Sequence, residues 1–354
     1  MAWFDKALLK FSPPILPSIN QPLGALPARF RRPRLLIVGC GDVGLRVAKA
    51  LRTPTALARG ASNSIATSAQ PERITDPFAC EKPRLQVLAL SSTPARYAAL
   101  RAQGITVLRG NLDEVASLRR LAGLATHVLH LAPPPTSGSS DPRTQNLLRA
   151  LRLRSAPQAL VYGSTSAVYG DCQGAVATEN RAPNAQSARA GRRLSAEQQV
   201  RAQGRRVRSS ILRIPGIYAA DRSEGTALDR VRQGLPVLLA SEDVYTNHIH
   251  ADDLARACIA ALWRGKAQRV YNVNDHTRLK MGDYYDFAAD LAQLPRPARL
   301  PRSELAKQLS PMRMSFMAES RQMDNTRLQR ELRLRLRYPT VVEGLGGCPL
   351  LPPP

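Results

Sequence analysis

Short apolar runs and amphipathic segments alternate along most of the chain. Residues 35–38 form an uninterrupted apolar run that ends before a glycine, and apolar positions then recur at Val43, Val47 and Leu51. A short apolar run between turn residues is typical of a strand buried on both faces, whereas a spacing of three or four residues indicates one face of a helix. The pattern therefore predicts a strand, a tight turn and a helix at the start of the regular structure.

The alternation resumes after residue 84. Strands are predicted at residues 85–90, 105–108, 126–131, 159–162 and 207–214. Helices are predicted between them, one beginning after Ser92 and Thr93 and others at residues 118–121, 145–153 and 194–200. Because strands and helices alternate along the chain, we expect an α/β fold with a doubly wound parallel sheet that helices cover on both faces.

Composition divides the chain further. Residues 1–33 are rich in proline and lack sustained periodicity, which predicts a flexible extension. Residues 53–83 turn to Ala, Ser, Thr, Pro and Arg, and we interpret them as a surface insertion within a domain that spans 34–214. Beyond that domain the alternation of predicted strands and helices becomes less regular. Residues 215–345 are therefore assigned mainly to a smaller second domain and 346–354 to a tail.

The formal net charge of +24 is the compositional extreme of this chain. Such a charge attracts phosphates, including those of nucleic acids. The arginines are dispersed in short groups, however, without the interleaved aromatic side chains of a single-strand binder, and this disfavours a nucleic-acid partner. The five cysteines are widely scattered, and no apolar run approaches the roughly 20 residues of a membrane span, so we expect a cytoplasmic protein without a membrane partner.

Glycines recur between the first strand and the first helix, in the turn Gly39-Cys40-Gly41-Asp42-Val43-Gly44. In such a turn the first glycine permits the sharp bend, the second lets the backbone approach a pyrophosphate, and the third allows close packing of helix and strand. The phosphates would lie at the positive end of the helix. This context predicts a Rossmann dinucleotide-binding domain with cofactor contacts from Gly39, Gly41, Asp42, Val43 and Gly44.

The end of the second strand bears on the choice between NAD and NADP. A carboxylate at that point would accept a hydrogen bond from the ribose 2′-hydroxyl of NAD. The chain instead has Ser91, Ser92 and Thr93, with Arg96 one helical turn further on. Hydroxyls and a cation suit a 2′-phosphate, so we favour NADP over NAD and assign Ser91, Ser92 and Arg96 to the cofactor site. The alternative is that Ser92 and Thr93 only cap the following helix.

Several stretches resemble the extended short-chain dehydrogenase/reductase superfamily, in particular its NAD-dependent epimerase/dehydratase group. They are Gly163-Ser164-Thr165-Ser166-Ala167-Val168-Tyr169-Gly170, the turn Gly110-Asn111-Leu112-Asp113, and residues 212–218, 249–254 and 324–339. The resemblance covers roughly residues 34–345. It implies a Rossmann core, a smaller C-terminal substrate domain, a small-molecule substrate, and cofactor contacts from Asn111, Leu112, Leu131 and Ala132.

Catalysis in that superfamily uses a Ser or Thr hydroxyl together with a Tyr-x-x-x-Lys pair. The resemblance places Thr165 at the hydroxyl, Arg193 at the lysine and Arg189 at the tyrosine. Arginine cannot donate a proton at neutral pH, because its pKa lies far above that range. The chain thus resembles the atypical branch of the superfamily, which keeps the cofactor fold and loses the standard active site. Thr165 and Arg193 remain candidate catalytic residues.

Other side chains could replace the missing proton donor. Tyr169 is one candidate, although it fits better as a packing residue of its turn. Tyr218, Tyr245 and His248 are further candidates, because their segments are expected near the cleft.

A cluster of potential metal ligands has a simpler interpretation. His248, His250 and Asp252 carry groups that bind metals. Asp252 fits better as the N-cap of a helix whose buried stripe is Leu254, Cys258 and Leu262, and we predict no metal site.

Two functional hypotheses follow. The first is an enzyme that uses NADP or NAD, an oxidoreductase or epimerase-like protein acting on a small carbonyl or sugar-like substrate. Arg189, Arg192 and Arg193 could hold an anionic group of that substrate, or could simply form an exposed basic helix. The alternative is a non-catalytic protein that senses the redox state of the cofactor, which would account for the absent tyrosine.

Overall fold

Three parts of the chain are described by the computed structural model: residues 33–52, 85–222 and 226–346. The predicted extension, insertion and tail lie outside these ranges, apart from Pro33 and Gly346 at their margins, and stay predictions. No helix within the ranges is long and apolar enough to cross a membrane.

Strands and helices alternate along the described residues. The strands are β1 (Arg34–Val38), β2 (Gln86–Ser91), β3 (Thr106–Arg109), β4 (His127–His130), β5 (Ala159–Thr165), β6 (Val176–Ala177), β7 (Arg208–Ile214), β8 (Gly216–Tyr218), β9 (Val237–Leu238), β10 (Tyr245–Thr246), β11 (His248–His250), β12 (Arg269–Asn272), β13 (Leu279–Lys280), β14 (Arg299–Leu300) and β15 (Gln322–Met323). The α-helices are α1 (Asp42–Arg52), α2 (Tyr97–Ala102), α3 (Pro142–Arg152), α4 (Ala188–Arg201), α5 (Ala227–Arg232), α6 (Ala251–Arg264), α7 (Met281–Leu291), α8 (Arg302–Gln308), α9 (Pro311–Phe316), α10 (Thr326–Leu332) and α11 (Val341–Gly346).

Seven of these strands form one parallel sheet. Their order is β12-β7-β5-β4-β1-β2-β3, and every neighbouring pair is parallel. Because β1 lies between β2 and β4, the carboxyl ends of these three strands meet at one edge of the sheet. This strand order is that of a doubly wound Rossmann sheet, and it confirms the predicted fold class.

Alternate residues of β1 pack on opposite faces of the sheet. Leu35 and Ile37 are fully buried in a cluster with residues of α1, α6 and α10. Leu36 and Val38 belong to the cluster on the other face, with residues of α3 and α4. Full burial of such a side chain stabilises a fold by roughly 1.5–3 kcal/mol. The uninterrupted apolar run at residues 35–38 is thus explained by a strand that helices cover on both sides.

A third apolar cluster lies in the C-terminal part of the chain. Helices α5, α7, α8 and α11 contribute to it, with Val231, Tyr284, Leu305 and Val341 among its members. Strand β12 also lies beyond residue 214, yet it pairs with β7 in the main sheet. The C-terminal residues therefore supply both a separate core and one strand of the Rossmann sheet, and the boundary predicted at residue 214 stays a prediction.

One local prediction is wrong and another is refined. Residues 118–121 lie in a helix as predicted, but it is a 3-10 helix of seven residues, Val115–Leu121, which is longer than most such helices. The N-cap of helix α6 is His250, two residues before the predicted Asp252, and its Nδ1 accepts a hydrogen bond from the Asp252 N–H at 3.2 Å. Asp252 therefore lies in the first turn, where a carboxylate still suits the positive end of the helix. The predicted buried stripe of α6 is confirmed at Leu254, Cys258 and Leu262.

Candidate functional site

The glycine turn between β1 and α1 is tightly enclosed at its first and third glycines. Gly39 has a φ of +85°, and a Cβ built there would lie 2.4 Å from the backbone nitrogen of Ala132. A Cβ on Gly44 would lie 3.2 Å from Cγ2 of Ile37. The first position therefore requires glycine for the bend and the third for the contact between α1 and β1, as the turn predicts.

The second glycine of the turn faces open space. A Cβ built on Gly41 would meet no protein atom within 4 Å. The same glycine comes directly before α1, whose first N–H groups have no partner within the helix. An open approach to a helix N-terminus is the geometry that accommodates a pyrophosphate.

The acidic residue of the turn is paired with two arginines. Asp42 accepts a hydrogen bond from Nε of Arg46 at 2.9 Å and forms an ion pair with Arg222. A bare carboxylate beside a phosphate would repel it, so these partners remove an obstacle to anion binding. The side chain of Val43 is partly buried and packs against the core.

A cavity of about 210 Å³ lies beside the glycine turn, at the carboxyl ends of β1, β2 and β3. It is lined by predicted cofactor residues from four segments of the chain, namely Gly39, Ser91, Ser92, Arg96, Asn111, Leu112 and Ala132. Leu131 is not among the residues that line this cavity, and its N–H donates to the Val38 carbonyl at 2.7 Å. The structure thus brings together residues that are about 90 positions apart in the sequence.

Two arginines and no carboxylate line this cavity among the described residues. Arg96 donates from Nη2 to the Cys40 carbonyl at 2.8 Å, so its guanidinium is held beside the glycine turn. Arg143 is the second, and it forms an ion pair with Asp113 at 2.7 Å. The sequence alone did not indicate Arg143, because only the packing of α3 brings it beside a turn 30 residues away.

A larger cavity of about 330 Å³ opens beyond the carboxyl end of β5. Thr165 ends that strand and borders the cavity, and its Oγ1 accepts a hydrogen bond from the Ala167 N–H at 3.3 Å. The hydroxyl keeps its proton free for another acceptor, since it acts here only as an acceptor. Of the other candidate residues, Tyr218, Tyr245 and His248 also border this cavity.

The arginines of α4 do not all point the same way. Arg193 borders the cavity and donates from Nη1 to the Gly163 carbonyl at 2.7 Å. Arg189 also borders it, and its guanidinium carbon lies 4.6 Å from the centre of the Phe316 ring. Arg192 is buried elsewhere and donates to the Gly138 carbonyl at 2.9 Å. Two of the three predicted arginines therefore face the cavity.

The cavity has a strongly positive lining. Arg189, Arg193, Arg230 and Arg321 contribute four guanidinium groups, against one carboxylate from Glu319. Although Arg189 is partly exposed, burial of its guanidinium and the nearby charge of Arg193 lower its pKa. Both effects disfavour the positive charge, and an anion bound beside it would offset them.

Tyr169 does not reach the cavity. Its side chain is only 1% exposed, and its hydroxyl donates to Oδ1 of Asn272 at 2.7 Å. The guanidinium of Arg213 lies over its ring, 4.6 Å from the centre. This placement argues against Tyr169 as the substitute proton donor and agrees with the packing alternative.

A buried ion pair holds α4 against the sheet. Glu197 accepts hydrogen bonds from Arg213 at 2.8 and 3.1 Å and from the Ser164 hydroxyl at 2.6 Å. Ser164 immediately precedes Thr165, and Glu197 lies one helical turn after Arg193. The network therefore fixes both candidate catalytic residues relative to each other. Sequence reasoning missed it, because no local pattern distinguishes a buried glutamate in a helix rich in charged residues.

Comparison with known proteins supports the resemblance. The family described as the NAD dependent epimerase/dehydratase family matches residues 79–274. A search of curated proteins gave no match. A solved conserved protein of unknown function from Silicibacter pomeroyi is 26% identical, with a TM-score of 0.68, over 89% of this chain and 97% of that chain.

Two enzymes of known activity share the fold at lower identity. The UDP-glucose 4-epimerase of Thermotoga maritima, solved with UDP-glucose, is 15% identical with a TM-score of 0.64, over 88% of this chain and 96% of that one. A dTDP-glucose 4,6-dehydratase from Streptomyces venezuelae, solved with NAD, is 18% identical with a TM-score of 0.66, over 89% and 95%. Since the family match spans more than half of the sequence, this chain belongs to the NAD-dependent epimerase/dehydratase family.

Proposed function

We propose that the protein is an NADP- or NAD-dependent oxidoreductase or epimerase-like enzyme that acts on a small, anionic carbonyl or sugar-like substrate. The single observation that carries this proposal is the cavity at the end of β5, which combines Thr165 with four arginines and one glutamate. The structural relatives act on UDP-glucose and dTDP-glucose, which are anionic sugar derivatives.

The residues of the glycine turn would hold the pyrophosphate of the dinucleotide. Gly41 leaves the space for it, and Gly39 and Gly44 shape the turn. When bound, the cofactor would supply hydride exchange. This chain would contribute the orientation of the substrate and the stabilisation of charge on its reacting oxygen.

Thr165 and Arg193 would act on that oxygen. The Thr165 hydroxyl would donate a hydrogen bond to it, as the family resemblance implies. Arg193, held by the Gly163 carbonyl, would stabilise negative charge as it develops there. This arrangement relies on electrostatic stabilisation, because the position of the family tyrosine carries Arg189.

The direct test is hydride exchange by the purified protein. We would supply NADP, NADPH, NAD and NADH with a panel of hydroxy acids, oxo acids, sugar phosphates and nucleotide sugars. Oxidation or reduction of at least one anionic member is expected. If the cofactor binds and the whole panel stays unreactive, the enzymatic proposal is wrong.

Loss of the Thr165 hydroxyl should impair turnover more than binding. Removing one such donor lowers kcat by roughly 100-fold in comparable sites, so Thr165→Val is expected to show about that loss. Thr165→Ser retains the hydroxyl and serves as the matched control. The measurement is steady-state kinetics together with cofactor affinity, which neither variant should change. Equal kcat values for the two variants would rule out the assigned role.

The cofactor preference should depend on Arg96. We propose NADP, because Arg96 lies in the smaller cavity and no carboxylate lines it. Loss of a charge-assisted contact costs about 1.5–3 kcal/mol, so Arg96→Ala should weaken NADP binding by roughly 10- to 100-fold and leave NAD binding nearly unchanged. Arg101→Ala, on the same helical segment but outside the cavity, is the control. Equal weakening of both cofactors would contradict the proposed contact.

The alternative is a non-catalytic sensor of cofactor redox state. The observation that favours it is Arg189, which occupies the tyrosine position and cannot serve as a proton donor. Titration with oxidised and reduced cofactor separates the two functions. A sensor should bind the two forms with clearly unequal affinity and show no turnover with any member of the substrate panel.

A further inference from the structure

The amino edge of the main sheet lies opposite both cavities. The cavities open at the carboxyl ends of the strands, whereas α2, the 3-10 helix Val115–Leu121, α3, α4 and α6 each return the chain to the amino end of the next strand in the sheet. All five of these described helices have basic side chains in their last turn and no acidic ones there. The basic residues include Arg101, Arg119, Arg149, Arg152, Arg201 and Arg264.

The connections that follow these helices carry no carboxylate. None of them contains Asp or Glu, and they add further basic residues, including Arg154, Arg206 and Lys266. In chain order the connections are residues 103–105, 122–126, 153–158, 202–207 and 265–268. Together with the helix ends they form a surface that we call the basic edge.

The charge of the basic edge is largely unneutralised. Arg119, Arg149 and Arg201 are exposed, and none of them forms an ion pair with any residue that the structure describes. The carboxylate of Glu331, from α10, approaches this edge, but it already pairs with two basic residues there. Positive side chains that are clustered without carboxylates create a field that attracts polyanions.

Contacts between neighbouring connections make the basic edge continuous. A Cβ built on Gly123 would lie 3.1 Å from Cβ of Arg154, so the end of the 3-10 helix contacts the connection after α3. Nε of Arg152 donates to Oε1 of Gln203 at 2.9 Å and links the ends of α3 and α4. Arg208, which begins β7, donates to two carbonyls at the end of α6, at 2.6 and 2.7 Å. The fold therefore gathers on one surface arginines that are dispersed along the sequence.

An exposed tryptophan lies at the same edge. Trp263 belongs to the last turn of α6 and is 44% exposed. Its indole stacks on the imidazole of His127, the first residue of β4, with the ring centres 5.2 Å apart and 20° between the ring planes. Because His127 is buried, it supports the indole from the protein side. Proteins bind single-stranded nucleic acids with this combination, in which bases stack on aromatic rings and basic side chains contact phosphates.

We propose that the basic edge binds a single-stranded nucleic acid, with a base stacked on Trp263 and phosphates held by arginines that include Arg149 and Arg201. This binding is independent of the proposed enzymatic function, since both cavities lie at the opposite edge of the sheet. An anionic membrane fits less well, because Leu153 and Trp263 are the large apolar side chains exposed at this edge among the described residues, and membrane affinity grows with buried apolar area. A duplex offers no unpaired base to Trp263.

Fluorescence anisotropy with labelled oligonucleotides tests the proposal on the full chain. Single-stranded DNA and RNA of about 20 nucleotides, which is longer than the usual single-strand site, would be titrated at several salt concentrations. Duplex DNA of the same sequence and vesicles containing phosphatidylserine are the competing ligands. One variant combines Arg149→Gln with Arg201→Gln, and its control removes the same charge from exposed positions away from the edge by combining Arg232→Gln with Arg278→Gln. The unfolding midpoint of each variant checks the fold.

The wild type should bind the single strands with a dissociation constant of roughly 1–100 µM at ~0.15 M salt. Each lost phosphate contact lowers the slope of log K against log salt by about 0.7, so the edge variant should lower it by about 1.4 and the control should leave it unchanged. Trp263→Ala should weaken single-strand binding by roughly 10-fold at an unchanged slope, and Trp263→Phe, which retains a ring, should recover most of the loss.

Absence of single-strand binding at this salt concentration, or equal slopes for the edge and control variants, would overturn the proposal. Duplex binding as tight as single-strand binding, with no effect of Trp263→Ala, would also overturn it, as would binding to the vesicles alone. Saturation with NADP should leave the oligonucleotide affinity unchanged. Competition by NADP would place the nucleic acid in the dinucleotide cavity and contradict a site at the basic edge.

Discussion

Replacing Glu197 with alanine is expected to destabilise the protein by about 3–5 kcal/mol, which is the usual cost of breaking a buried ion pair from one side. Glu197 and Arg213 are each only 1% exposed. Nη1 of Arg213 already lacks a hydrogen-bond partner among the described residues. We therefore expect no other acceptor to replace the carboxylate of Glu197. The Ser164 hydroxyl would lose its acceptor as well.

Urea unfolding of the purified variants measures this cost. The matched control is Asp290→Ala, which breaks the exposed ion pair with Arg296 and should leave the midpoint nearly unchanged. A loss below about 1 kcal/mol for Glu197→Ala would show that Arg213 is solvated or paired in another way. Because the network joins α4 to the end of β5, the variant should also lower any activity that depends on Arg193 and Thr165.

Replacing Gly41 with valine should abolish tight cofactor binding without destabilising the fold. A side chain at this position meets no protein atom within 4 Å, and its φ lies outside the left-handed region. The added methyl groups would occupy the open approach to the N-terminus of α1. Displacing the pyrophosphate from that approach should weaken the cofactor by at least about 10-fold, a loss of roughly 1.4 kcal/mol or more.

Gly39→Ala is the contrasting variant of the same turn. Its Cβ would overlap the Ala132 backbone, and alanine at a positive φ costs about 1–2 kcal/mol before any clash is counted. This variant should therefore lose stability as well as cofactor affinity. Thermal unfolding and cofactor titration of both variants check the contrast. Unchanged cofactor affinity in Gly41→Val would mean that the dinucleotide does not use this turn.

The positively charged lining of the larger cavity and the burial of Tyr169 both bear on which residues could take part in catalysis. Tyr169 is bonded to Asn272 and shielded by Arg213, so it does not replace the family tyrosine. The cavity beside Thr165 still has the phenols of Tyr218 and Tyr245, and it is lined by four guanidinium groups as well. The proposed function therefore depends on these guanidinium groups to stabilise an anionic substrate and its reacting oxygen.

Local patterns in the sequence were sufficient for the fold class and for the glycine turn. The apolar run of β1 reflects burial on both faces of the sheet, and the apolar stripe of α6 reflects burial of one face of the helix. Gly44 is dictated by contacts within a single strand, turn and helix, whereas Gly39 is required by its positive φ and also by the distant backbone of Ala132. The strand, the turn and the helix nevertheless leave a local pattern of residue types, so the sequence indicates them directly.

The tertiary structure decided which side chains share a cavity and which are paired. Arg143 reaches the smaller cavity only through the packing of α3, and Glu197 meets Arg213 only because α4 lies across β5 and β7. His250 is the N-cap of α6 instead of Asp252, because the chain leaves β11 at His250 and enters the helix directly at Ala251. His248 and Thr165 face one cavity from strands more than 80 residues apart in sequence. Contacts of this kind arise from the order of strands in the sheet, and no local periodicity encodes that order.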